Sequence, residues 1–340
     1  MKTLEVLRFE VEYQAKRWWT WLYFAVLLVV PFLIATQGAV QGPAVSGYWF
    51  NSAYGIGLLT MIGGFLGLIA TAAFAGEAGA RDPESRMESL VYTSPVAERS
   101  YIVGRFLAAF VLTAAALVMV QIALVVGTLI VDLPPELMAP ITSATYLNSY
   151  IVFALPNAFL ATALFFAFSL FTRRSVTGYL TAIVLFFMSL MVWLVVAGKF
   201  GRWDIAKVLD PLAMSVIQQL GNTTTAAQKN AWQPWSDSSL LLNRLLWITV
   251  GIAALLFTHF RFNFKAASER KSWRRALPSV EAIERVVPLA VPRVTTSTGV
   301  GVRLQQLGVI TMQSFRHIVF SWGALVLVIL SLILAVTGTM

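Results

Sequence analysis

Seven long stretches of this chain are almost free of charge: residues 18–36, 54–76, 106–131, 150–172, 176–198, 240–258 and 319–338. Six contain no charged residue, and the stretch at 240–258 contains one, Arg244. A helix needs about 20 apolar residues to cross the hydrocarbon of a bilayer. Backbone polar groups find no partner in lipid, so each run must satisfy its own by becoming helical. The runs are too long for barrel strands and do not alternate with period two. An all-α integral membrane protein follows, with six spans and a seventh that comes after a long break.

Composition agrees. Only 12% of the 340 residues are charged and 58% are hydrophobic, against about 25% charge in a soluble domain. The net charge of +9 does not indicate nucleic acid, because the bases lie between apolar runs and not on one polar domain. Cysteine is absent, which excludes a disulfide framework, a thiolate metal site and a cysteine nucleophile. The stretch before the first run is long and carries acids as well as bases, so that run reads as a retained span and not a signal peptide.

Basic residues set the expected orientation. With the N-terminus cytoplasmic, ten bases from Lys2 to Arg174 and ten more from Arg261 to Arg316 fall inside, out of 25 in all. Lys199, Arg202, Lys207, Lys229 and Arg244 fall outside. Trp18, Trp19, Trp21 and Tyr23 suit an inner aromatic belt, and Trp232, Trp235 and Trp247 an outer one. A multi-pass protein of a plasma (bacterial inner) membrane is expected.

The connections carry further pattern. Residues 1–17 place Leu4, Leu7 and Val11 among charges, which predicts an amphipathic elbow helix at the inner interface or a short solvated one. In the loop 77–102, Asp82-Pro83 and Ser94-Pro95 each read as an N-cap and first turn. They predict a short charged helix over about 83–92 and a third span whose helix starts near Pro95. Its mixed charges, Arg81, Asp82, Glu84, Arg86 and Glu88, suit a protein surface. In the outer segment 199–239, Ile205, Val208, Leu209, Leu212, Val216 and Leu220 recur at helical spacing, and Asp210-Pro211 restarts the helix. Residues 259–303 read as a basic, proline-containing linker. Residues 304–340 repeat the elbow-then-span pattern of the N-terminus, which predicts the start of a second bundle and a sequence that is part of a longer one.

Chemistry is sparse. There is no P-loop, no His-Glu-x-x-His and no Gly-x-Ser-x-Gly. His259 and His317 read as polar edge residues. No span holds paired acids, so no catalytic, cofactor or metal site is expected, and any transport would be driven from outside this chain. Gly63 and Gly67 form a Gly-x-x-x-Gly spacing that allows close helix approach, for packing or as a pathway seam. Pro156-Asn157 predicts a kink with a polar group to satisfy.

The run Arg81-Asp82-x-Glu84-Ser85-Arg86-Met87-Glu88-x-Leu90-x-Tyr92-Thr93-x-Pro95-Val96, followed by Ser100-Tyr101 and Gly104-Arg105-Phe106, resembles the coupling-loop region of type-2 ABC transporter permeases. It is closest to a subgroup fused to a zinc aminopeptidase. Tyr146-Leu147, Leu155-Pro156-Asn157, Leu209-Asp210-Pro211, Asn243-Arg244-Leu245-Leu246-Trp247 and Arg261-Phe262-x-Phe264 are similar to that subgroup too. The resemblance implies six spans per half, an elbow helix, a coupling helix after the second span and short outer helices after the fifth. It also implies an ABC ATPase partner on the cytoplasmic face, contacted by residues Arg81 to Glu88, and a second permease half from the same longer chain or a second copy. The sequence departs from the subgroup in lacking most of that second half and the peptidase, so peptidase activity is not carried over. The expected function is a non-enzymatic permease subunit, with surrounding lipids and no nucleic acid as partners. The alternative is a membrane anchor for a downstream domain.

Overall fold

A computed structural model describes residues 2–38, 41–262 and 299–319. Two units, divided at Ala266, are described separately. The first is an all-α membrane bundle. It opens with α1 (Lys2–Ala15), then α2 (Trp18–Leu33), which continues into a π-turn at Ile34–Gly38. A short α3 (Gln41–Ser46) leads to the long α4 (Ala53–Glu84). After α5 (Glu88–Thr93) comes α6 (Glu98–Ile130). The next span joins α7 (Ser143–Ser149) through a π-turn, Tyr150–Ala154, to α8 (Leu155–Thr172). Next is α9 (Val176–Met191), which ends in a π-turn. Three short helices follow, α10 (Trp203–Leu209), α11 (Met214–Thr223) and α12 (Ala226–Ala231), before the last span α13 (Ser238–Arg261). In the second unit, Val300–Val319 forms an amphipathic helix, α14. Most of the expected linker, and the seventh expected span from residue 320 on, lie outside the described residues.

Among the described residues, six helices are long and apolar enough to cross a membrane, and they match the first six expected spans. The spans α4 and α7–α8 are mostly buried, whereas α2, α9 and α13 present most of their length outward. The buried pair occupies the middle of the bundle because α4 is rich in small residues. A Cβ on Gly63 would sit 2.4 Å from Val120 Cγ1, and one on Gly67 would sit 2.6 Å from Leu117 Cδ2. No real side chain fits at those distances, so α6 lies directly against the α4 backbone. A polar contact locks the same seam: Gln121 donates to Thr60 Oγ1 at 3.0 Å, and Ser149 of α7 donates to that oxygen at 2.8 Å.

Helix ends follow local chemistry. Ser52 accepts from the Gly55 amide at 3.1 Å and Asp237 from the Leu240 amide at 3.1 Å, each capping a span. Thr225 and Gln228 form a capping box at α12. Pro156 is accommodated by the π-turn just before it, which shifts the helical hydrogen-bond register where the ring interrupts it.

Two expected helix starts are corrected. The α4 helix runs through Pro83 to Glu84, and no helix starts at Asp82. The Asp82 side chain is turned into the bundle by Arg105 and Tyr101 and is not available as a cap. The third span starts at Glu98, not at Pro95. Ser94 Oγ donates to the Val91 carbonyl at 2.6 Å and so closes the end of α5. At the other end of the bundle the helix does restart after Asp210, but three residues beyond Pro211, at Met214.

Candidate functional site

The bundle end that carries α1 holds a buried ion network. Glu10 points inward from α1 and is fully buried. Arg81 of α4 grips it with both ends of its guanidinium, Nη1 to Oε1 at 2.7 Å and Nη2 to Oε2 at 2.8 Å. Beside it, Arg105 Nη2 donates to Asp82 Oδ1 at 2.6 Å, and Tyr101 donates to Asp82 Oδ2 at 2.9 Å. Arg105 also donates to the Ala78 carbonyl at 2.9 Å and lies 3.6 Å from Glu10. Two acids and two bases thus alternate and neutralise one another, as burial requires. Arg81 also lies 4.2 Å over the Tyr13 ring. The network ties α1, α4 and α6 into one body.

The α4–α5 connection turns sharply at Arg86, whose φ of +59° is left-handed. Its charges divide into two sets. Glu88 is buried at the start of α5 and is bonded by Arg173, which itself adopts left-handed φ where α8 ends. Glu84 accepts from the Ser175 amide at 2.7 Å and from its hydroxyl at 2.9 Å, holding the α8–α9 turn. Ser85 bonds back to the Arg81 carbonyl at 2.8 Å. The outward surface is left to Arg86, Met87 and Leu90, with Met87 49% and Leu90 66% exposed. Of the seven residues expected to meet a partner, Arg81, Asp82, Glu84, Ser85 and Glu88 therefore bond within the chain. Next to them runs an apolar groove of about 640 Å³ between α1 and the α5 region, walled by Phe9, Tyr13, Met87, Val91 and Val96. Burial raises the Tyr92 hydroxyl above its ordinary range.

The far end is closed by α10–α12, which insert side chains between the spans. Ala213, Val216 and Ile217 are buried with Tyr54, Phe153 and Leu240, and Leu212 is buried in the main core of the spans. Asp210, also fully buried, accepts from the amides of Leu212 (3.1 Å) and Ser215 (2.6 Å), from the Ser215 hydroxyl (2.9 Å) and from Ser189. Burial pushes its carboxyl upward, and those donors oppose the shift. Asn243 of α13 donates to the carbonyls of Lys207, Val208 and Asp210 at 2.7–3.0 Å. Asn157 of α8 donates to the Leu212 carbonyl at 3.2 Å and accepts from Arg244 at 2.6 Å. The polar group expected beside Pro156 thus fastens the cap to two spans.

From the sequence, Arg173 served only to mark topology, Arg105 and Arg244 marked topology and resemblance, and Glu10 was one charge of an amphipathic helix; none was expected in a buried network. A signal was present for each. Glu10 and Gln14 continue the inward stripe of Val6 and Leu7 along α1, and Arg244 is the one charge inside an otherwise apolar run.

Fold and sites together define a multi-pass α-helical membrane protein with a rigid, ion-paired end and a capped end. No family model matches the chain, and no curated protein matches it.

Proposed function

We propose that this chain is a permease part of an ATP-driven transporter of the type-2 ABC class, an exporter working with a separate ATPase. On this reading the α1 end faces the cytoplasm of a bacterial cell, and the capped end faces outward. A second half, from a longer form of the same chain or a second copy, completes the pathway. The ATPase docks on the exposed tip formed by Arg86, Met87 and Leu90 and on the apolar groove beside it.

One observation carries the reading: the exposed α5 tip is joined to the spans by Glu88–Arg173 and Glu84–Ser175. A motor outside the membrane needs a stiff lever, and a charged tip on a loose loop would dissipate the push. Here a force on α5 passes to Arg173 at one end of α8. That helix passes it to Asn157, and Asn157 bonds the far-end cap at Leu212. The chain of contacts thus runs from one end of the bundle to the other, a physical path for coupling.

The reading is tested by co-expressing the chain with its candidate ATPase and assaying ATP hydrolysis in nanodiscs. Met87→Asp with Leu90→Asp abolishes stimulation of the ATPase while the bundle keeps its melting temperature. Stimulation that survives the double substitution overturns the docking assignment.

A further inference from the structure

A second cavity at the α1 end, of about 440 Å³, lies between the α1–α2 junction, α4 and the α8–α9 turn. Volumes of about 300–1,000 Å³ are usual for small-molecule sites. Its walls carry both signs of charge: Arg17 from the α1–α2 junction, and Glu77 and Glu84 from α4. Arg81 also lines it but is held by Glu10. Trp19 on its rim is 47% exposed and Glu84 is exposed too, so the cavity opens at the surface. Tyr23 of α2 and Tyr179 of α9 close it further along the spans, their hydroxyls 3.5 Å apart.

Groups on opposite walls keep unused bonding capacity. Gln14, which lines the cavity, is only 3% exposed, and its Nε2 has no hydrogen-bond partner. It stands beside Glu77 without bonding to it. A buried donor left unmet is costly. Among the described residues Arg17 bonds Glu77 through Nη1 and through no other nitrogen, so most of its guanidinium fork is open. Across the cavity, Glu84 takes the Ser175 amide and hydroxyl both on Oε1. Among the described residues no base lies within ion-pair distance of Glu84. The cavity thus offers donors for an anionic group on one wall and an open carboxylate oxygen for a cation on the other. Trp19 and Tyr23 mark headgroup depth, and the flanking helices α2 and α9 present most of their length outward.

We propose that this cavity binds the headgroup of a zwitterionic phospholipid that carries a primary ammonium, a phosphoethanolamine group. The phosphate meets Gln14 Nε2 and the open side of the Arg17 guanidinium, which suits a phosphate oxygen. The ammonium donates to Glu84 Oε2. The acyl chains run along the outward faces of α2 and α9. A quaternary ammonium has no hydrogen to donate to Glu84, and a purely anionic headgroup meets Glu77 and Glu84 without a cation to offset them. The site goes beyond the transport reading and does not depend on it, because it needs only a membrane around the bundle.

The test incubates the full chain in detergent with equimolar palmitoyl-oleoyl phosphatidylethanolamine, phosphatidylcholine and phosphatidylglycerol, and native mass spectrometry counts the lipids retained. The wild type retains phosphatidylethanolamine about fivefold more often than either other lipid. Gln14→Leu weakens that retention severalfold, yet the delipidated protein melts no lower than the wild type, which a merely structural amide would not give. Glu84→Gln keeps an oxygen for the Ser175 amide but loses the charge, and brings phosphatidylethanolamine down to the level of phosphatidylcholine. Arg17→Gln weakens all three lipids. Soluble glycerophosphoethanolamine in millimolar excess does not displace the lipid. The proposal is overturned if the wild type retains none of the three, retains them equally or prefers another. It is also overturned if Gln14→Leu or Glu84→Gln retains phosphatidylethanolamine as the wild type does, or if the soluble headgroup displaces it, which would make a free metabolite the ligand. Should Arg17→Gln not fold, the other two variants decide. Failure here leaves ATPase coupling untouched, and failure of coupling leaves this binding result standing.

Discussion

Glu88, at the first residue of α5, is bonded to Arg173, the left-handed residue that ends α8. Eighty-five positions separate them in sequence, yet this pair fixes the short exposed helix to a membrane span. Removing either charge takes an ion-pair partner from the other in a site where Glu88 has only 5% of its side chain exposed. A hydrogen bond to a charged group is worth about 1.5–3 kcal/mol. Glu88→Arg and Arg173→Glu should each destabilise by that order and uncouple the ATPase. The double reversal should recover at least half of both losses, read as melting temperature in detergent and as stimulated ATP hydrolysis.

The charges around the same loop should differ sharply in cost. Arg105 is buried between Asp82, Tyr101 and Glu10, and breaking such a network by removing one member costs about 3–5 kcal/mol. Arg105→Ala should therefore give little folded protein. Arg86 is exposed, and among the described residues no ion pair involves its side chain, so Arg86→Ala should stay within about 0.5 kcal/mol of the wild type. Size-exclusion profiles and melting curves of the two variants decide the point.

Two neighbouring glycines offer an internal control on packing. Gly63 lies against Val120, whereas a Cβ on Gly64 meets nothing within 4 Å. Gly63→Ala should cost about 1–3 kcal/mol through overpacking. Gly64→Ala should be neutral or slightly stabilising, because alanine is the better helix former. Equal effects in thermal melts would mean that α6 does not rest on the α4 backbone.

How much of this was legible in the sequence differs from element to element. The six spans were legible because a bilayer requires a long uncharged run, and composition alone shows one. The N-terminal helix and the helical character of 205–220 followed from spacing, whereas the polar stretch 223–230, expected as a turn, contains most of α12 (Ala226–Ala231). The start assigned to Asp82-Pro83 failed because an aspartate before a proline resembles a cap only while its side chain is free. Arg105 and Tyr101, about twenty residues on, claim that side chain. For the same reason Glu84 and Glu88 looked like surface charges: Ser175 and Arg173 are local in space and distant in sequence. Glu10, on the inward stripe of an amphipathic helix, could have been recognised as an acid awaiting a base.

Orientation rests on the distribution of bases and can be measured directly. The chain contains no cysteine, so single cysteines report their own side of the membrane. In intact cells an impermeant maleimide should label a cysteine at Thr224, in the capped end, and not one at Ser85, beside the α5 tip. The reverse pattern would invert the proposed topology.

Contact between the α5 tip and an ATPase is the centre of the account, and photocrosslinking from that tip tests it most directly. A cysteine at Met87 or Leu90, carrying a benzophenone maleimide, is irradiated in native membranes, with a cysteine at Thr224 as control. The account predicts a covalent adduct from positions 87 and 90, absent from 224, whose partner binds ATP and carries a P-loop peptide by mass spectrometry. Adducts from 87 and 90 that contain only lipid, or only proteins that do not bind ATP, would contradict it.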